Sequence, residues 1–325
     1  MDYINLGSSS LKVSRIGFGA MGIGDKAWRT WVLDEQEARP LVRKAVEAGI
    51  NFYDTCDFYS AGASEQILGA LLAEFGSRSE FVIATKFGNP MGKGPNARGY
   101  SRKHIVEAVE ASLRRLKTDY IDLYQTHIWD ETTNIDEMMA ALDHLVRSGK
   151  VLYVGAADMP CWQFAKALYG ARFRAQAAFV SMQDHFNAVW REDERELLPL
   201  CQHEGIAMLP YSPMARGFLC GKERRNRDAT ERARTDGYTW EWYGREADHA
   251  VGETVDAIAQ ERDLAPAQIA LAWVLNRLPN ATPIIGATSL PQLDQALSAV
   301  QVVLSPEEMQ RIGAAYEPRP RSGHF

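Results

Sequence analysis

Phe81-Val82-Ile83-Ala84-Thr85-Lys86 and Ile121-Asp122-Leu123-Tyr124-Gln125-Thr126-His127 are two near-continuous apolar runs. Runs of this kind suit parallel strands buried on both faces. Between them the period changes. Ile105, Val109, Leu113 and Leu116 line one face of a helix that follows Ser101, while Glu107, Glu110, Arg114 and Arg115 occupy the others. Strand, loop and amphipathic helix make one unit.

The unit recurs along the chain. Further candidate strands lie at 16–19, 51–54, 151–156, 177–181, 206–211 and 282–285. Boundary residues agree with helices between them: Gly49 follows 42–48, Ser64 reads as an N-cap, and Gly149 closes 135–148. Pro40 is placed early in its helix, where a missing N–H is tolerated best. Eight strands alternating with about eight helices predict an α/β fold of the (β/α)8 TIM barrel type. Gly17-Phe18-Gly19-Ala20-Met21-Gly22 has the spacing of a dinucleotide-binding turn, but no helix starts there, so it reads as a loop. Residues 3–13, with the turn Gly7-Ser8-Ser9-Ser10, read as an N-terminal β-hairpin that caps the barrel floor. After the seventh strand comes a long loop, 216–248, basic at 222–227 and aromatic at 238–243. Loops of this length are usually functional or disordered. With no internal repeat beyond the βα period and no low-complexity linker, residues 1–325 are expected to form a single domain.

Composition excludes several classes. Thirty-six Lys and Arg against 42 Asp and Glu leave a net charge of −6, so nucleic acid is not an expected partner. No apolar run reaches 18 residues and the N-terminus has no basic-then-apolar leader, so neither a membrane nor export is expected. The four cysteines are scattered without a C-x-x-C pair, which argues against a metal site and for a reducing cytoplasm.

Barrel chemistry occurs at the C-terminal ends of strands. Asp54 ends one candidate strand and Tyr59 follows five residues later; Lys86 and His127 end the next two. Each alone also reads as structural: a loop cap, an exposed strand end, a satisfied core histidine. Together they form a set suited to proton transfer during carbonyl reduction. A free phenol titrates near ~10, too high for exchange at neutrality. A neighbouring ammonium lowers that value, and a carboxylate fixes the ammonium. An imidazole orients the substrate oxygen. Side chains offer no hydride, so a nicotinamide cofactor is implied.

These residues lie in longer motifs. Gly49-Ile50-Asn51-Phe52-Tyr53-Asp54-Thr55, with Tyr59 and Gly62-Ala63-Ser64-Glu65, resembles the first signature of the aldo-keto reductases. Leu113-Arg114-Arg115-Leu116 with Asp119-Tyr120 and the run ending in His127 is similar to the second. Val82 to Lys86, Gly149-Lys150-Val151, Tyr211-Ser212-Pro213-Met214-Ala215-Arg216-Gly217 and Pro283-Ile284-Ile285-Gly286-Ala287 fall in the family's order, so the likeness runs over about residues 3–313. The resemblance implies a catalytic tetrad of Asp54, Tyr59, Lys86 and His127, with Tyr59 as general acid–base. It sets Tyr211 against the nicotinamide ring and Gln183 on its carboxamide, with Gly22, Asp54 and Gly286 also in the cofactor set. Ser212, Pro213, Met214, Arg216 and Gly217 would face the pyrophosphate. The helix start from Ser289 through Gln292 to Gln295 would face the adenosine, and Ser289 suits an N-cap whose helix terminus attracts phosphate.

The chain departs from the family in three places. Where relatives often carry Ser-Asn, it has Ala157-Asp158. An ionised Asp158 accepts from a carboxamide NH₂ but cannot donate to its oxygen. Its charge is expected to favour oxidised cofactor. The adenosine loop Thr288-Ser289-Leu290-Pro291-Gln292 lacks the Lys or Arg that often holds a 2′-phosphate, although Lys222, Arg224, Arg225 or Arg227 can substitute from the long loop. The cofactor expectation is NADP(H), ahead of NAD(H) or dual use. Finally, Gln183-Asp184-His185-Phe186 lacks the usual tyrosine hydroxyl, a change of packing; His185 and His203 read as structural.

Tryptophans cluster in the βα loops, and aromatic walls suit ring-containing ligands. Trp28, Trp31 and Trp129, with Tyr59 and His127, are the expected substrate contacts; Trp190 follows the sixth strand, and Trp240, Trp242 and Tyr243 lie in the long loop. The expected partner is a small carbonyl or alcohol, an aromatic aldehyde, ring ketone or sugar. Alternatives are a dehydrogenase working in the oxidative direction, or a redox-sensing binding subunit like the potassium-channel β subunits that share the fold. A hydrolase would need a second acid facing Asp54, and only Asp158 is available. Self-association carries no sequence signal.

Overall fold

Parallel pairing carries the chain around until its first and last barrel strands meet. The computed structural model describes residues 1–319. Its main sheet contains β3 (Gly17–Gly19), β4 (Phe52–Asp54), β5 (Val82–Gly88), β6 (Ile121–His127), β7 (Val151–Ala157), β8 (Phe179–Gln183), β9 (Ala207–Met208) and β10 (Ile284–Ile285), in the order β10-β3-β4-β5-β6-β7-β8-β9. Every neighbouring pair is parallel. The two ends also join. Thr282 N donates to Met208 O at 3.0 Å, Ile284 N donates to Pro210 O at 2.8 Å, and Tyr211 bridges Ile284. Closure removes the exposed sheet edges. The predicted (β/α)8 barrel is present.

A short hairpin, β1 (Tyr3–Asn5) with β2 (Lys12–Ser14), pairs antiparallel at the N-terminal end. It buries Leu6 and Val13 against Phe52, Val82, Leu123, Ala207, Leu209 and Ile284, which fill the barrel interior. Gly7 is required at this turn: its φ is +58°, and a Cβ would meet Gly205 O at 2.5 Å. The larger core lies between the barrel and its helices. Those are α1 (Glu35–Glu47), α2 (Ala63–Phe75), α3 (Arg102–Leu116), α4 (Ile135–Arg147), α5 (Cys161–Phe173), α6 (Leu197–Glu204), α7 (Glu231–Thr235), α8 (Gly237–Trp242), α9 (Glu246–Glu261), α10 (Pro266–Arg277), α11 (Leu290–Ala299) and α12 (Pro306–Ala314). Among the described residues, no helix is long and apolar enough to cross a membrane.

Several boundaries differ from expectation. Ser64 is not an N-cap; Gly62, at φ 94°, occupies that position. Ser64 instead lies in the first turn of α2, where its hydroxyl donates to Ala20 O (2.8 Å) and meets Thr55 Oγ1 (2.9 Å). Pro40 lies beyond the first turn of α1, because the capping box of Asp34 and Glu37 starts the helix at Glu35. Pro40 leaves the carbonyl of Gln36, an exposed residue, without its intrahelical partner. The strand expected at 177–181 is displaced to β8, with a register irregularity at Val154/Gly155 on its neighbour. That displacement brings Gln183 to the barrel mouth. The long loop carries α7 and α8.

Two carboxylates are buried behind the mouth. Glu65 is satisfied by Arg115 Nε (2.5 Å) and Thr85 Oγ1 (2.6 Å). Asp57 is fully buried, and its Oδ2 has no hydrogen-bond partner among the described residues. Burial, and then the charge of Glu65, push the Asp57 carboxyl up to about 7. The folded chain therefore retains a proton that the unfolded chain releases near ~4, so this group makes stability fall as pH rises from about 4 to 7. Asp57→Asn is expected to stabilise the protein by about 1–3 kcal/mol at pH 8, an advantage that shrinks towards pH 4. Chemical denaturation at the two pH values checks this; an equal effect at both would refute the buried-charge account.

Candidate active site

Four strand ends place one polar network. Lys86 is on β5 and is fully buried. Its Nζ donates to Asp54 Oδ1 at the end of β4 (2.6 Å), to Thr55 O (2.9 Å) and to Tyr59 Oη (3.3 Å). The other Asp54 oxygen accepts from Gln125 Nε2 of β6 (3.2 Å) and Gln183 Nε2 of β8 (2.8 Å). Tyr59 enters from the turn after β4, and its ring lies edge-on to His127, 6.4 Å between centroids. The register explains the convergence: Asp54 pairs with Ala84, Lys86 with Gln125, and Gly88 with His127.

The electrostatics differ from expectation in one respect. Burial raises the Tyr59 pKa, and the Lys86 charge offsets this only in part, so the phenol is held above its ordinary value rather than below it. Burial opposes the charge on Lys86 as well, but Asp54 and Tyr59 outweigh it, and the ammonium persists. For His127, Asn89 Nδ2 lies 3.2 Å and Cys56 Sγ 3.4 Å from Nδ1. With the amide donating to Nδ1, the ring proton sits on Nε2, 3.7 Å from Asp158 Oδ2. The site thus presents a neutral phenol and an imidazole N–H side by side, backed by a buried cation.

Above this network lies a cavity of about 780 Å³. Of the residues expected to bind cofactor, Gly22, Asp54, Asp158, Gln183, Tyr211, Ser212, Pro213, Met214, Arg216, Gly217, Gly286, Gln292 and Gln295 line it. Ser289 does not. It holds the N-cap position of α11 without a side-chain bond, and Thr288 lines the cavity instead, bonded through its N–H to Gln292 Oε1 (2.9 Å). Lys86 lies beneath the floor. Of the expected substrate residues, Trp28, Trp31, Tyr59 and His127 line the cavity. Trp129 belongs instead to the packed core, its backbone N–H tied to Asp158 O, and Ile128 takes the lining position.

Asp158 turns inward: Tyr211 Oη donates to its Oδ1 at 2.9 Å. The Tyr211 ring is backed by His185 (5.1 Å, 11° between planes), which stacks in turn on Trp190. His185 is therefore structural, behind a ring that faces the cavity, whereas His203 is on the surface. Phe186 is fully buried and stacks on Trp273.

Sequence reasoning missed part of the wall. Tyr238 and Trp242, four residues apart on one face of α8, both line the cavity; their spacing was the available signal. Trp240 points elsewhere, its indole donating to Ala233 O. The 230–236 segment meets the loop after β3, where Thr30 Oγ1 donates to Glu231 Oε1 (2.8 Å) and Arg232 lies 4.4 Å from the Trp31 ring centroid. Among the cations considered for a 2′-phosphate, Arg224 alone lines the cavity. Arg225 is paired with Asp256, and Arg227 lies over Trp240.

The cavity fits a dinucleotide by shape and donor set. Gly217 and Gly286 border it, and a Cβ built on either meets nothing within 4 Å. Gln183, Asp158 and the Tyr211 ring line the cavity, as do Gln292, Gln295 and Arg224. Among the described residues no group of three His, Cys, Asp or Glu is arranged to hold a metal.

The sequence model of the aldo/keto reductase family matches residues 15–317. The chain is 39% identical to versiconal hemiacetal acetate reductase of Aspergillus parasiticus, covering 98% of each chain. It is 37% identical to a protein of Schizosaccharomyces pombe named as an aryl-alcohol dehydrogenase, over 98% of this chain and 97% of that one. It is 35% identical to an aldo-keto reductase of Fusarium vanettenii, over 100% of this chain and 93% of that one.

Proposed function

The chain belongs to the aldo/keto reductase family and is an NAD(P)H-dependent oxidoreductase, and we propose that it reduces aromatic or ring-containing aldehydes and ketones with Tyr59 as the general acid. One observation carries the proposal: a phenol within 3.3 Å of a buried, carboxylate-paired ammonium at the floor of an aromatic-walled cavity. Bound nicotinamide supplies the hydride that no side chain provides. Tyr211, Asp158 and Gln183 would hold its ring, Ser212 to Gly217 its pyrophosphate, and Gln292, Gln295 and Arg224 its adenosine.

The protein's own residues manage the proton. Tyr59 is protonated throughout neutral pH, since burial holds it above the ordinary phenol value. As the carbonyl oxygen gains charge, Tyr59 transfers its proton to that oxygen. The phenolate left behind is stabilised by Lys86, whose position Asp54 fixes. His127 Nε2–H orients the same oxygen. Trp28, 6.3 Å from the Tyr59 ring, and Trp242 form apolar walls that exclude water. The S. pombe relative's name supports an aryl substrate.

Asp158 bears on the balance between the two cofactor forms. Its carboxylate, held by Tyr211, adds negative charge beside the expected ring site and would stabilise the cationic, oxidised nicotinamide over the neutral reduced form. The S. pombe relative's name also favours alcohol oxidation as a second reading.

Reduced-nicotinamide absorbance over a panel of benzaldehydes and cyclic ketones, with NADPH and NADH separately, tests the function. Tyr59→Phe is expected to lower kcat by about 10²–10⁴-fold, and wild-type reduction should stay flat with pH until beyond ~10. A fully active Tyr59→Phe would remove the proposed acid. Arg224→Ala should narrow the NADPH-over-NADH preference in kcat/KM by about ten-fold, the scale of one charge-assisted hydrogen bond; an unchanged ratio would leave the 2′-phosphate without its proposed partner. Asp158→Asn should lower the affinity for oxidised relative to reduced cofactor. Fluorescence titration of both forms measures that ratio, and a constant ratio would refute the charge argument.

A further inference from the structure

We propose that the cleft selects carbonyl substrates bearing an anionic substituent, a carboxylate or an equivalent oxyanion, held by Arg29 and Arg232 about one aromatic ring away from Tyr59. The inference rests on the carbonyl-reduction reading above and names its substrate class.

The roof of the cavity holds more positive charge than it neutralises. Arg29, Arg216 and Arg232 all line it, and one buried carboxylate, Asp236, serves the group. Arg216 takes the shorter contact to Asp236 Oδ2 (2.5 Å), and Arg232 Nε shares the same oxygen at 3.1 Å. The neighbouring Glu231 is occupied by Arg234 and Thr30. Arg29 forms no ion pair among the described residues. It lies over the Trp28 ring, 4.4 Å from the centroid, and 5.7 Å from that of Trp31.

Stacking of this kind holds a planar guanidinium in place while leaving its N–H edge free for a planar oxyanion. Burial lowers the pKa of both arginines below the ordinary guanidinium value, and the repulsion of Arg216 adds to it, taking Arg232 down to about 10. An arriving anion relieves both effects. Geometry sets the substrate side of the cavity as its place. Trp28, under Arg29, also packs beside Tyr59 and edge-on to Phe58. A ring stacked along Trp28 therefore presents its carbonyl to Tyr59 and a distal substituent to Arg29 and Arg232.

The test compares 4-carboxybenzaldehyde with 4-methylbenzaldehyde, which match in shape and differ in charge. Binding is read by quenching of tryptophan fluorescence, and turnover by cofactor absorbance. The wild type is expected to bind the carboxylate about ten-fold more tightly, with the preference shrinking in high salt. Arg29→Gln should erase that preference, Arg29→Lys should restore part of it, and Arg227→Gln, which removes a charge outside the cavity, should retain it. Equal affinity of the wild type for the two aldehydes overturns the proposal. It is also overturned if Arg29→Gln weakens NADPH binding and leaves the aldehyde ratio intact, because the anion served is then the cofactor's phosphate. Selective binding of the carboxylate without reduction of either aldehyde supports the anion site and refutes the reductase reading instead.

Discussion

A lysine ammonium with no solvent exposure organises the mouth of this barrel. Burying such a charge is costly unless it is paired and its remaining donors are satisfied. Lys86 meets that condition with a carboxylate, a carbonyl and a phenol. The carboxylate is in turn saturated by two glutamine amides from strands on either side of the barrel. One charge therefore ties β4, β5, β6 and β8 to a common centre. Loss of any member leaves a buried group uncompensated, which is a constraint on geometry more than a source of stability.

The same burial decides the acid–base character of the site. A nearby cation alone would make Tyr59 a better phenolate; a dry environment makes it a better phenol, and the second effect is larger. In the proposed reaction the cation then serves the charge that appears after proton transfer. Asp158 adds the opposite sign 3.7 Å from His127 Nε2. The proposed reacting position lies between a buried ammonium and a carboxylate.

The roof is built differently. It consists of the loop after β3 and the segment carrying α7 and α8, joined by Thr30–Glu231 and by Arg232 over Trp31; Arg29 over Trp28 and Arg216 over Trp242 add guanidinium–aromatic contacts within each part. Such contacts tolerate small displacements better than the short, directional bonds of the floor. A centre of short, directional bonds is thus covered by a guanidinium-rich aromatic surface, which suits the proposed class of ring-bearing anionic ligand.

Local pattern by itself determined the barrel and singled out the four polar side chains at its mouth. Buried parallel strands are apolar over their whole length, so polar residues at strand ends stand out, as Asp54, Lys86 and His127 do. Ser101 and Gly149 likewise mark helix ends through bonds made within a few residues. Where long-range packing intervened, local reading failed. Ser64 resembles a cap but is claimed by Ala20 and Thr55; Trp129 resembles a cavity wall but is drawn into the core; the β8 register is set by its neighbour β7. Tertiary structure alone decided which of the loop cations reach the cavity, that Asp158 faces inward onto Tyr211, and that two arginines share one carboxylate while Arg29 has none among the described residues. The physical reason is that periodicity reports which face of an element is buried, whereas charge balance and proton affinity depend on groups brought together from distant parts of the chain.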